Sequence, residues 1–452
     1  MKRAVFIQLL FFAGFWIVFL SLQHPFIYHR SLGLISDNWG WVNGERLLID
    51  EPYQKLNNTN YIHWDAAHYQ LIKEYGYSIE KAGSDYIFAF FPFFPFIWKI
   101  LHIPPVGILF MNYLFMIIAV SLLMKLFLNR DDYVKNSLIA LSFPMIIIFF
   151  IPYTEATFLL TSTIAIFGFM KKKYWLYFTG FVLASLTRPT FTILLLSIIC
   201  TEFFFLFDHR RIGLFLKNTM FRILPLIVGT ILLSSVQLYQ GSDRAFKFIE
   251  VQKYWGHVFS LPHDVRDWSH EGYGIHLGVI FMIFIPLLFF LLQKILLTLK
   301  RTKSQIFSED RNYYSVILSV IYIIGISLFV IFFQDGSLHN LFRYSLATPF
   351  FFILLFGGGE IIKNFPVKSK IYIFIVLSII SFSALALSDY SSSWNYSDSG
   401  LFLLMGSIFL WVFQEYFISG IYRIFLFSMV CLNILWTTYL FNMYINNGWI
   451  FA

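Results

Sequence analysis

The sequence predicts an all-α, polytopic membrane protein of about 13 transmembrane helices, within a range of 11 to 14, on three observations. Of 452 residues, 58% are hydrophobic and only 13% charged, and mean hydropathy is +0.70, whereas a soluble domain carries about a quarter charged residues. The apolar residues fall into long runs near 4–22, 104–128, 137–152, 155–170, 174–189, 190–207, 221–240, 275–298, 312–333, 340–361, 371–388, 401–419 and 422–445. Between these runs the basic residues recur in short loops, and one alternation of sides places all of those loops together.

The first run follows Met1-Lys2-Arg3 and ends at Ser21-Leu22-Gln23-His24 without a small-x-small cleavage site, so it reads as an uncleaved span with a cytoplasmic start. From there, Arg130 and Lys135, Lys171 to Lys173, Arg210, Arg211 and Lys217, Lys300, Arg301 and Lys303, Lys363, Lys368 and Lys370, and Arg423 all fall on the cytoplasmic side. A charge of +8 would suggest nucleic acid in a soluble protein; here it reports topology, and no nucleic-acid partner is expected. Cys200 and Cys431 lie in apolar runs and make no disulfide framework. The stretch 155–207 is interrupted by Arg188 and Glu202, and the 14 residues between Lys173 and Arg188 span only about 21 Å as a helix. Residues 87–101, broken by Pro92 and Pro95, are too short for a crossing and read as an interfacial or re-entrant piece.

The extracytoplasmic side then receives the long polar segments, 23–103 and 241–274, together with 334–339 and 389–400. Chemistry is therefore expected on the outer face. In the first outer loop, Trp64, Ala67, Leu71, Ile72 and Tyr75 fit a helical period, Thr59 or Asn60 caps the start and Gly76 the end. That predicts an amphipathic surface helix with Asp65 beside His68 and Tyr69 at i+3 and i+4. The bland reading of Asp65 is a solvated acid. A metal reading of His63, Asp65 and His68 matches no strong spacing signature, and neither a metal nor a cofactor is expected.

Two further motifs sit at the outer tips of helical hairpins: Pro152-Tyr153-Thr154-Glu155-Ala156 and Thr187-Arg188-Pro189-Thr190. An acid and an arginine at membrane depth require a partner or a wet cavity, so Glu155 and Arg188 either pair or serve a site. Gln252 to His257 and Asp264 to His270 place aromatic and basic groups side by side, which suits sugar stacking and phosphate contact as well as a membrane interface. Arg343, in His339-Asn340-Leu341-Phe342-Arg343-Tyr344, opens a span from outside and either snorkels or grips an anion. Gly357-Gly358-Gly359 has neither the strand before it nor the Lys-Ser/Thr after it of a phosphate loop.

Trp64-Asp65-Ala66-Ala67-His68-Tyr69, Ala89-Phe90-Phe91-Pro92-Phe93-Phe94-Pro95, Pro152 to Phe158, Thr187 to Thr190 and Arg343-Tyr344 occur in an order that resembles the PIG-V-like mannosyltransferases, relatives of GPI mannosyltransferase 2 among the GT-C glycosyltransferases. The resemblance covers roughly residues 1–350 and departs from the pattern at Phe191, where a glycine is commoner. It implies a transmembrane catalytic core over 1–350, transfer of a sugar from a polyprenyl phosphate to a lipid-linked or cell-envelope glycan acceptor, and an acid in the first outer loop as the catalytic position, which is Asp65. Residues 351–452 are left as C-terminal helices of unassigned role.

The chemistry of such a transfer fits these residues. The phosphate leaving group needs no general acid, the acceptor hydroxyl needs a base, and one carboxylate suffices for inversion. Asp65 is the base; Arg343, Arg188 and Lys253 are candidates for the donor phosphate; His68, Trp64, Tyr69, Glu155 and Tyr344 are acceptor-binding or orienting candidates. The apolar 87–101 piece suits the polyprenyl chain. The composition, rich in Phe, Ile, Lys and Asn with compact loops, points to a bacterial plasma membrane with an extracytoplasmic site, or the ER membrane in a eukaryote. The competing readings are a transporter or flippase, which needs access to both faces, and a non-catalytic assembly subunit.

Overall fold

A computed structural model describes residues 1–23, 41–42, 45–46, 56–189, 191–209, 212–256, 258–262, 273–300, 311–359, 362, 365–387 and 396–450. Apart from a two-residue antiparallel ladder, Trp41 opposite Arg46 and Val42 opposite Glu45, all its regular structure is helical. Among the described residues, six helices meet both the length and the hydropathy needed to cross a membrane: Lys2–Leu22, Pro105–Phe127, Ile212–Tyr239, Gly274–Leu297, Arg311–Phe333 and Gly420–Ile445. The chain is therefore a multi-pass membrane protein. Of the remaining apolar runs, 371–388 is covered by the 21-residue helix Val367–Leu387, and the others carry helix in shorter or bent pieces.

Those pieces have sequence causes. The run expected as one span over 137–152 is Tyr133–Ser142 followed by the 3-10 segment Pro144–Phe150, with an 83° bend between the two arms. Phe143 precedes a proline, which disfavours helical backbone at that residue. The carbonyls this leaves unpaired are met by Asn433, whose Nδ2 donates to Leu141 at 2.6 Å and to Phe143 at 2.8 Å. Similarly, 340–361 divides into Leu341–Leu346 and Pro349–Gly357, because Pro349 has no N–H to continue the first piece. The span expected over 174–189 stops at Ser185, and that expected over 221–240 begins nine residues earlier, at Ile212, and carries Lys217 within it.

Glu155–Met170 and Tyr174–Ser185 form a tight hairpin. A Cβ on Gly180 would lie 2.5 Å from the Ala165 nitrogen, so only glycine permits this approach. The last helix, Gly420–Ile445, packs along the first, with Phe441 edge-on to Phe15 and Phe19 at 5.3 and 5.0 Å. The C-terminal residues thus belong to the same core as the N-terminal ones.

The bundle has two polar ends. At one, Arg311 donates to the Phe169 carbonyl, and Arg222 pairs with Glu202 while lying 4.1 Å from the Tyr314 ring centre. These groups come from four helices, with Phe169 and Arg311 at helix ends near the Lys171 to Lys173 turn and Glu202 and Arg222 within Phe191–His209 and Ile212–Tyr239. The opposite end gathers the residues around Asp65.

Candidate functional site

Asp65 opens the helix Asp65–Tyr75, where a carboxylate suits the positive end of the helix dipole. The chain reaches it through Trp64 at φ +52°, a region that a bulky residue rarely occupies. Gly76 ends the helix at φ +67°, as the sequence indicates, but the start is not capped as expected. Asn57 and Asn60 instead cap each other's backbone around the separate 3-10 turn Asn58–Tyr61. The buried face also differs from the expected one: Ala66, Tyr69 and Ile72 are buried, whereas Trp64 and Tyr75 are exposed. Packing on Phe90 and Phe94 selects Tyr69, whose ring lies 5.3 Å from each, so the two ends of the expected stripe, Trp64 and Tyr75, are left outside.

Arg343 reaches Asp65 from the short helix Leu341–Leu346. Its Nη2 donates to Asp65 Oδ2 at 2.7 Å, its Nε to Glu155 Oε1, and its Nη1 to Asn340 Oδ1 at 3.3 Å. The guanidinium lies 4.6 Å from the Tyr153 ring centre, a cation–π floor. Glu155, the first residue of Glu155–Met170, accepts from Arg343 and lies 3.2 Å from Arg188 Nη1 with the same oxygen. Arg188 in turn sits 5.3 Å from Tyr344 and 5.8 Å from Phe158. The Glu155–Arg188 pair that the hairpin tips suggested is therefore present, with Arg343 as a third member.

Two carboxylates and two guanidiniums balance in charge, which is the condition for placing four ions where water is scarce. Their accessibility is unequal: the Asp65 side chain is 24% exposed, against 0% for Glu155, 5% for Arg188 and 4% for Arg343. Asp65 is thus the carboxylate of the group that an incoming hydroxyl can reach. Backbone around the site is fixed by Asn112, whose Nδ2 donates to the Ile151 and Tyr153 carbonyls at 2.6 and 3.1 Å.

The other expected residues divide. Tyr69 is brought in, its hydroxyl 3.5 Å from Thr154 Oγ1, and burial pushes its ionisation well above the usual range. His68 stands one turn from Asp65 but makes no hydrogen bond to it among the described residues. Its ring lies 4.4 Å from Phe90 and 5.1 Å from Tyr86, its Nδ1 is buried without a partner, and burial lowers its pKa against the opposing pull of Asp65. Trp64 turns away, edge-on to Trp449 at 5.1 Å. Lys253 is not part of the ionic group: it is exposed, 3.8 Å from Glu250. The lysine that organises this loop is Lys247, 2.9 Å from Asp85, whose ionisation it lowers.

Tyr444 was not singled out by its sequence context, yet it binds the approach to Asp65, its hydroxyl donating to the Tyr61 and His63 carbonyls at 3.2 and 3.3 Å. His63 points to the same helix, its Nε2 3.2 Å from the Ile445 carbonyl, and among the described residues no three metal-ligating side chains converge. The 87–101 piece is a 3-10 turn, Asp85–Ala89, and a helix, Phe93–Leu101, that buries Phe94 and Trp98 while exposing Phe96, Ile100 and Leu101. Its first N–H, at Phe93, donates to the Leu186 carbonyl at 3.0 Å, which ties it to the Arg188 turn. Phe191 fills the space beside it, against Phe91 and Phe248. Thr190, His257, the Asp264 to His270 stretch and most of 389–400 lie outside the described residues. No protein-family model matches the chain, and neither the curated proteins nor the solved structures compared with it include a match.

Proposed function

We propose that the chain is an integral-membrane glycosyltransferase of the GT-C type, with about 13 membrane passages when its short and bent helices are included. It moves a sugar, mannose by the resemblance, from a polyprenyl-phosphate donor to a lipid-linked or cell-envelope glycan acceptor on the extracytoplasmic face. The observation that carries this reading is the four-ion group at one end of the bundle, in which Asp65 alone is appreciably open to an acceptor while Arg343 is aimed at the same point.

In the proposed reaction the acceptor hydroxyl attacks the anomeric carbon from the face opposite the phosphate. Its proton passes to Asp65, the new carbon–oxygen bond forms as the bond to phosphate oxygen breaks, and polyprenyl phosphate departs with the electron pair. Guanidiniums suit that leaving group because the planar fork meets phosphate oxygens in pairs. The exposed apolar edge of Phe93–Leu101 is the surface offered to the donor's chain.

The experiment is transfer by the purified full-length protein supplied with polyprenyl-phosphate mannose and a membrane glycolipid extract. Asp65→Asn keeps the side-chain volume but cannot take the proton, so turnover is expected to fall by about 100- to 10,000-fold with the folded state retained. More than about half the activity surviving in Asp65→Asn makes Asp65 a structural acid and removes the centre of this reading.

A further inference from the structure

Among the described residues, each nitrogen of the Arg343 guanidinium has a directed contact, and these differ in permanence. Its Nε is fixed on Glu155, which is fully buried, its Nη1 faces Asn340 on the adjoining turn, and Tyr153 underlies the plane. The remaining nitrogen, Nη2, holds Asp65 at 2.7 Å. That partner is carried by an outer-loop helix rather than by a membrane helix, and it is the accessible one. A carboxylate oxygen that accepts from a guanidinium has that oxygen engaged and aimed at the arginine rather than at an acceptor hydroxyl. The arrangement at hand therefore binds the base and occupies the phosphate position with the same contact.

We infer that the donor phosphate enters by taking the place of Asp65 on Arg343, so that donor binding itself releases the base. The inference rests on the glycosyltransferase reading. Glu155 is then a positioning residue that keeps Arg343 in place during the exchange. One anion replaces another on Nη2, so the charge next to the buried guanidinium stays constant. Asp65 gains freedom to face the acceptor only when a donor is present, and hydroxyls arriving earlier meet a base already engaged. The order of events is donor first, proton transfer second.

Farnesyl phosphate, which carries the leaving group without a sugar, is the probe. Where an internal carboxylate competes for Arg343 about nine-tenths of the time, removing it strengthens apparent binding about tenfold. Asp65→Asn and Asp65→Ala in the full-length protein are both expected to bind farnesyl phosphate about tenfold more tightly than the natural chain. A second readout separates exchange from simple loss of repulsion: farnesyl phosphate should raise the carbodiimide labelling of Asp65 in the natural chain severalfold. Unchanged or weaker binding in both variants, or protection of Asp65 from labelling, overturns the exchange while leaving any measured sugar transfer intact. A natural chain that neither binds the probe nor transfers mannose from the polyprenyl donor overturns the underlying function instead.

Discussion

Glu155 has the strictest environment of any charged residue at the site, because one of its oxygens serves two buried guanidiniums. Glu155→Gln leaves Arg343 with Asp65 and takes from Arg188 the carboxylate it pairs with among the described residues, and breaking a buried pair from one side typically costs about 3–5 kcal/mol. Thermal unfolding in detergent is expected to show that loss, and a Glu155→Gln/Arg188→Gln double-mutant cycle to give coupling of about 1 kcal/mol or more. Additive effects would show that Arg188 is held by its aromatic neighbours instead. Glu155, Arg188 and Arg343 were legible as candidates because each interrupts apolar surroundings where an ion needs a reason, and Asp65 through the family resemblance. The Glu155–Arg188 pair was one of the readings offered, but that Arg343 joins it and reaches Asp65 was not, because the contact from residue 65 to residue 343 spans 278 positions and depends on how the helices stack. Lys253, expected at the donor phosphate as a lysine among aromatics, lies exposed and outside the four-ion group, and Lys247 takes the buried place in its loop.

At the scale of elements, Pro144 and Pro349 divide two of the expected spans, whereas Pro225 and Pro286 lie inside Ile212–Tyr239 and Gly274–Leu297 without dividing them. Pro144 and Pro349 were visible, yet a hydropathy window averages over the residue that breaks the backbone. The cost of each break falls on carbonyls, and for the first it is met from 290 residues away by Asn433. Asn433→Leu matches the volume and removes both donors, so the Leu141 and Phe143 carbonyls are left buried and unpaired, at about 1–3 kcal/mol for each group. A lower unfolding temperature with full-length expression retained is the expected result, and an unchanged one means the carbonyls find other donors. The helix carrying Asp65 was legible in its extent but not its orientation. Its apolar positions mark a stripe wide enough to pack in two registers, and the aromatic surface of Phe90 and Phe94 decides for Tyr69.

For the whole molecule, sidedness is the property on which the proposed chemistry depends. Glu155 and Phe169 sit near opposite ends of one helix, so the four-ion group and the Arg222–Glu202 pair belong to opposite ends of the bundle. The basic Lys171 to Lys173 turn accompanies the second of these, and such turns stay in the cytoplasm. By that rule the first faces outward, the side on which the proposed reaction needs it. Cysteine-accessibility labelling checks this in a background where Cys200 and Cys431 have been replaced, because Cys200 is exposed and would report by itself. A cysteine at Lys172 is expected to react only after the membrane is made permeable, and cysteines at Asp65 and Lys253 in intact cells. Trp394, a further outer marker by the same alternation, lies outside the described residues. Labelling of positions 65 and 172 from one side would contradict the helix running between their ends. Labelling of position 172 alone from outside would invert the molecule and put Asp65 where cytosolic nucleotide sugars, rather than lipid-linked ones, are the available donors.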